Sequence, residues 1–129
     1  MPRRATAGGL TPLELEIMKV LWEAGPMPVQ AVQQGLEPAR RLAYNTVQTM
    51  LTVLHRKGKV RRTLKDRAYH YVPSVTRLQA TRQALGDLVQ RLFEGSAEDL
   101  VRSLVETRHL TPERLAELAA AALEKKEER

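Results

Sequence analysis

Between residues 44 and 56 the chain carries Tyr44, Asn45, Gln48, Thr49, Thr52 and Arg56 at intervals that recur every three or four positions. On an α-helix that spacing gathers side chains into one stripe. Asn and Gln can each exchange two hydrogen bonds with an adenine edge. Thr can bond a base or pack its methyl on thymine, so the stripe suits a major groove. The same residue types also describe an ordinary solvated helix face, and taken alone they decide nothing. Their neighbours tilt the balance. Arg40 and Arg41 precede the stripe, Arg56, Lys57 and Lys59 close it, and Arg61, Arg62, Lys65 and Arg67 follow. Cations grouped beside a base-reading helix are suited to phosphate oxygens, which fix register and supply salt-dependent affinity.

Other chemistry finds little support. His55, His70 and His109 fall on separate expected elements without metal-ligand spacing. Cysteine is absent, which removes disulfides, thiolate nucleophiles and Cys-ligated metals and fits a reducing cytosol. No glycine-rich phosphate loop is present, and Glu94, Glu98 and Asp99 crowd a helix start where the dipole accounts for them. Neither catalytic residues, metal ligands nor a cofactor are expected, so the chain is not read as an enzyme.

The elements that must position the stripe are legible. Thr11-Pro12-Leu13-Glu14 has the form of a capping box with Pro at the first helical position. Leu10, Leu13, Ile17, Val20, Leu21 and Ala24 then keep helical spacing until Gly25-Pro26. A short helix is expected over 29–36, with Val29, Val32 and Leu36 on one face. A third is expected over 43–57, with Val47, Met50, Leu51 and Leu54 buried, closed by Gly58. Two β-prone runs, 60–64 and 68–72, flank the polar connector Lys65-Asp66-Arg67, and Pro73 ends the second. Three helices followed by a small hairpin make a winged helix-turn-helix.

From Ser74 onward the pattern is helical. One helix is expected over 75–93, with Leu78, Leu85, Val89 and Leu92 on a stripe. Ser96 caps a second helix, lined by Leu100, Val101, Leu104 and Val105, and Thr111-Pro112-Glu113 opens a third with Leu115 and Leu118. The tail 124–129 is expected to fray. Helices of this size bury too little against one another, and the economical cover is a second copy of the chain. The fold class is therefore mainly α: a flexible basic segment 1–9, a winged helix domain 10–73, and a helical dimerisation region 74–129. Charge follows the same division. The 129 residues carry a net +6, but residues 1–75 hold 12 Lys and Arg against 5 Asp and Glu, a net +7, and the remainder nets −1. Excess charge confined to one part suggests that part meets a polyanion. No signal-peptide pattern or span-length apolar run is present, so secretion and membrane insertion are not expected.

Three stretches carry a resemblance. Leu10-Thr11-Pro12-Leu13-Glu14-Leu15-Glu16-Ile17-Met18-Lys19-Val20-Leu21-Trp22 resembles the opening helix of the BlaI/MecI/CopY repressors. The run from Ala43 to Gly58 is similar to that family's recognition helix, and Arg67-Ala68-Tyr69-His70-Tyr71-Val72-Pro73 is similar to its wing. The likeness spans about residues 10–123. It implies a dimeric, cytoplasmic repressor on a palindromic operator, with the C-terminal helices forming the dimer. Asn45, Gln48 and Thr49 match positions that face bases. Tyr44, Thr46, Arg56, Lys57 and Arg67 match positions near the backbone, and Arg41 and Lys65 join them through the basic clusters. Dimer contacts are expected from Leu78, Leu85, Val89, Leu92, Leu100, Leu104, Leu115 and Leu118.

The departures are specific. Val53 stands where relatives often carry Arg, and Ala43 where a small polar cap is common. The Asn-Phe pair at which relatives are cleaved is not seen, and the neighbourhood reads Gly95-Ser96-Ala97-Glu98. The C-terminal cysteines of the copper-responsive branch are missing. The releasing partner, an unknown inducer or a sensor protease, is left open, as is the alternative of a winged helix protein-interaction module without specific DNA binding.

Overall fold

The computed structural model describes residues 9–127. The basic segment 1–9, expected to be flexible, lies outside the described residues apart from Gly9. The described elements are α1 Pro12–Ala24, α2 Val29–Leu36, α3 Tyr44–Arg56, β1 Val60–Lys65, β2 Ala68–Pro73, α4 Arg77–Phe93, α5 Ala97–Glu106 and α6 Pro112–Glu127.

The capping box forms: Thr11 Oγ1 accepts from the Glu14 amide at 3.2 Å and Glu14 Oε1 from the Thr11 amide at 2.8 Å. These two bonds satisfy donors that a helix start leaves open. Leu10, Ile17, Met18 and Leu21 then enter a core shared with Val29, Val32, Leu36, Val47, Leu51, Leu54, Val60 and Tyr71. The buried stripe of α1 is rotated from the expected one. Met18 is fully buried, Leu13 and Val20 are half-buried, and Ala24 is exposed. The cause is that α1 is covered by both α2 and β2, so the buried arc is wider than one 3–4 stripe. Gly35 sets the approach of α2: a Cβ there would lie 2.6 Å from Val20 Cγ1.

The wing is an antiparallel pair in which Arg62 faces Tyr71 and Leu64 faces Tyr69. Its loop is shorter than the three-residue connector expected. Lys65 pairs with Ala68, and only Asp66 and Arg67 turn the chain, with φ of 51° and 66°. Left-handed geometry at both positions matches the twist of a two-residue hairpin. Met27 adds an isolated bridge to Tyr71, exchanging bonds of 3.1 and 2.9 Å. That bridge covers one edge of β2 and has no signal in a Gly-Pro-Met-Pro loop. The order of elements is that of a winged helix-turn-helix.

The chain divides into two compact units between Asp87 and Leu88, beyond the expected boundary at 73/74. The first turns of α4 stay with the first unit because Trp22 Nε1 donates to the Val75 carbonyl at 2.9 Å and Arg77 lies 5.3 Å over the Trp22 ring. Helix α4 begins two residues later than expected, after a second capping box between Thr76 and Gln79. In the second unit Ser96 caps α5 and Thr111 caps α6, each accepting an amide three residues on at 3.1 Å. The expected fraying is corrected over 124–127, where α6 continues to Glu127, since Ala, Leu, Glu and Lys all favour helix; Glu128 and Arg129 lie outside the described residues.

Candidate nucleic-acid interface

Helix α3 presents two unlike sides. Val47, Leu51 and Leu54 are fully buried, which fixes the roll of the helix on the core. Opposite them, Asn45, Gln48, Thr49, Thr46 and Arg56 are exposed, and Tyr44 is 47% exposed. At about 1.5 Å rise per residue, Asn45 and Thr49 stand roughly 6 Å apart along the axis, close to two base-pair steps. Thr52 is half-buried, and its hydroxyl donates to the Gln48 carbonyl at 3.0 Å, so its proton is spent within the helix. The start of α3 is less secured than those of α1 and α5: Ala43 offers no side-chain bond. Gln33 fixes the residue before the cap from α2, donating through Nε2 to the Leu42 carbonyl at 2.9 Å, and leaves the open amides of α3 unchanged.

The cations divide by what holds them. Arg56, Lys65 and Arg67 are exposed, and none of them forms an ion pair among the described residues. Arg41 is 82% exposed at its side chain and only loosely paired with Glu37 at 3.7 Å. Arg40 is tied to Glu16 at 2.9 Å. Lys57 differs from the rest. Its ammonium donates to Glu14 Oε1 at 2.8 Å and to the Gly9 carbonyl at 3.1 Å. Glu14 is 4% exposed, the one buried charge among the described residues. Two of the three ammonium hydrogens are thus engaged, and Lys57 braces α1 against the end of α3.

Sequence reasoning missed this pair because a Glu inside a capping box already has an explanation. It also grouped Arg62 with the other wing cations without assigning it a face. Period-two alternation from buried Val60 puts Arg62 on the helix side of the wing, where its guanidinium lies 4.3 Å over the Tyr69 ring.

Of the expected dimer residues, Leu78, Leu85, Leu92 and Leu118 are exposed, at 44–67%. Val89, Leu100, Leu104 and Leu115 are half-buried, and α4, α5 and α6 contain no buried residue. Among the described residues, no His, Asp and Glu cluster of metal-binding size occurs, and no helix is long and apolar enough to cross a membrane.

Known proteins align with this architecture along most of its length. The chain is 27% identical over 105 residues to the penicillinase repressor of Bacillus licheniformis, covering 81% of this chain and 82% of that one. It is 40% identical over 62 residues to the transcriptional regulator BlaI of Mycobacterium tuberculosis, covering 47% and 45% respectively. Among solved structures, the complex of hsRosR-S4 superposes with a TM-score of 0.53 at 25% identity, over 90% of this chain and 95% of that one. Residues 10–124 match the family model described as penicillinase repressor, and the chain belongs to that family.

Proposed function

We propose that the chain is a DNA-binding transcriptional repressor that occupies an inverted-repeat operator as a homodimer and blocks transcription. The carrying observation is the polar outer side of α3, held in a fixed roll by Val47, Leu51 and Leu54 and bordered by exposed cations. Asn45, Gln48 and Thr49 are assigned to base edges, and Arg41, Tyr44, Thr46, Arg56, Lys65 and Arg67 to the backbone. Residues 10–73 bind DNA and residues 74–129 pair the two copies through the leucines that a single chain leaves uncovered. Its place of action is the cytoplasm. Membership of the penicillinase repressor family and the likeness to a repressor along four-fifths of the chain support this assignment.

Fluorescence anisotropy with duplex DNA at two salt concentrations tests it. Affinity should fall steeply with salt, by a logarithmic slope of about 0.9 per phosphate neutralised. Gln48→Ala or Thr49→Ala should erode preference among sequences, whereas Arg67→Ala should weaken all duplexes alike. Absence of any duplex binding at low salt would favour a protein-interaction module instead.

A further inference from the structure

At the end of α1 the structure forms a groove of about 570 Å³, and none of the residues assigned to DNA above lines it. That volume is in the range of small-molecule sites. Its floor is apolar. Trp22, Val72, Pro73 and Val75 all line it and are half-buried. The Trp22 indole N–H is engaged by the Val75 carbonyl at 2.9 Å, so the ring offers the groove only its apolar body. Val75 packs in turn against the core. Two cations stand beside this floor. Arg61 is the cross-strand neighbour of Val72 and shares its face. Arg77 lies 5.3 Å over the Trp22 ring. Both are exposed, and neither forms an ion pair among the described residues. No Asp or Glu lines the groove.

We propose that this groove binds a small organic acid with a flat apolar body. Its carboxylate is held by Arg61 and Arg77, and its body is seated against Val72, Pro73 and Val75 beside the Trp22 ring. The surface calls for both parts of such a ligand. Two like charges at one groove repel, and a carboxylate between them turns repulsion into attraction while accepting from two guanidinium forks. An inorganic anion would leave the apolar floor in water, and a neutral aromatic would leave the arginines without an acceptor. The Trp22 ring already orients Arg77, so that guanidinium is preset and loses little freedom on binding. Such binding does not depend on the DNA function proposed above. It places the acid where β2 runs into α4, within one compact unit.

The test titrates naphthoate into the isotopically labelled full chain and follows its amide and indole signals by two-dimensional NMR. Trp22 is the only tryptophan of the chain, so its indole N–H is a single reporter at the groove. Naphthoate should move that signal and the amides of Val75 and Arg77 in a saturable way at millimolar concentration. Naphthamide, the neutral isostere, should bind about tenfold more weakly, the loss expected for one charge-assisted hydrogen bond. Inorganic phosphate should leave the indole signal in place. Arg61→Gln and Arg77→Gln, both at exposed positions, should each weaken naphthoate about tenfold. Arg82→Gln, at an exposed position of α4 outside the groove, should match the wild type. An indole signal that naphthoate does not move would overturn the site. An equal response to naphthamide would make the groove merely apolar, and an equal response to phosphate merely cationic; either overturns the acid assignment. So would a loss in Arg82→Gln as large as in Arg77→Gln, which would mark diffuse attraction to positive charge.

Discussion

The two units solve the same problem, covering apolar helix faces, in opposite ways. In the first, thirteen apolar residues, eleven from three helices and the hairpin plus Leu10 and Met27 beside them, form one buried cluster. In the second, and along the whole of α4, none of the described residues is buried and leucines stand in water. The first unit can therefore hold its shape from its own contacts, and its outer surface is free to be polar and specific. The second has its apolar surface still to place. Its stability should depend on protein concentration, because association contributes burial that the single chain lacks.

The largest expected effect separates the units by stability. Leu51→Ala in the closed core should cost about 3 kcal/mol, by lost burial and by the cavity it leaves. Urea denaturation monitored at Trp22 would show this loss unchanged on dilution. On the other side of the comparison, Leu85→Asp or Leu92→Asp should leave the Trp22 transition nearly in place and weaken self-association by about 2 kcal/mol or more. Sedimentation equilibrium measures this directly. A dimer constant unaffected by either change would move the interface away from α4.

Lys57→Met comes next. Breaking a buried charge pair costs roughly 3–5 kcal/mol. Because the Lys57 side chain is 33% exposed, water screens part of the interaction, and a loss of about 2 kcal/mol is expected. The salt slope of DNA binding should not change, whereas loss of a phosphate contact would reduce it by about 0.9. These two readouts separate a brace from a backbone contact. The smallest effect belongs to Arg67→Gly. Glycine accepts φ near 66° without strain, so the hairpin should gain about 0.5 kcal/mol on thermal unfolding. The same change should weaken every duplex evenly.

The distribution of legible features follows from the range of the forces involved. Caps at Thr11, Ser96 and Thr111 involve partners three residues away, and the sequence displays both partners. The roll of α3 follows from Val47, Leu51 and Leu54, whose period fixes which residues face outward. Contacts between distant residues were not legible. Glu14 and Lys57 are 43 positions apart, and each had an adequate local explanation. Trp22 and Val75 are 53 apart and meet through a backbone carbonyl, which no side-chain pattern announces. The Met27 bridge and the burial of Met18 likewise depend on how α1 and β2 meet. The two-residue turn was obscured because Asp-Arg lacks the glycine that usually marks left-handed geometry.

Within the candidate site, the sequence displays Asn45, Gln48, Thr49 and the cations around them, but not which cations are already committed. That distinction needs the fold. It shows Lys57 paired with Glu14 and Arg62 stacked on Tyr69.

The most direct measurement of whether a paired chain reads sequence through α3 is selection of duplexes from a random pool, followed by anisotropy on the recovered and a random duplex. The recovered sites should share a two-fold symmetric consensus, bound about a thousandfold or more tighter than random DNA. Thr49→Ala should relax one position in each half-site. Recovery of no shared sequence, or equal weakening by Thr49→Ala on both duplexes, would contradict base reading by α3.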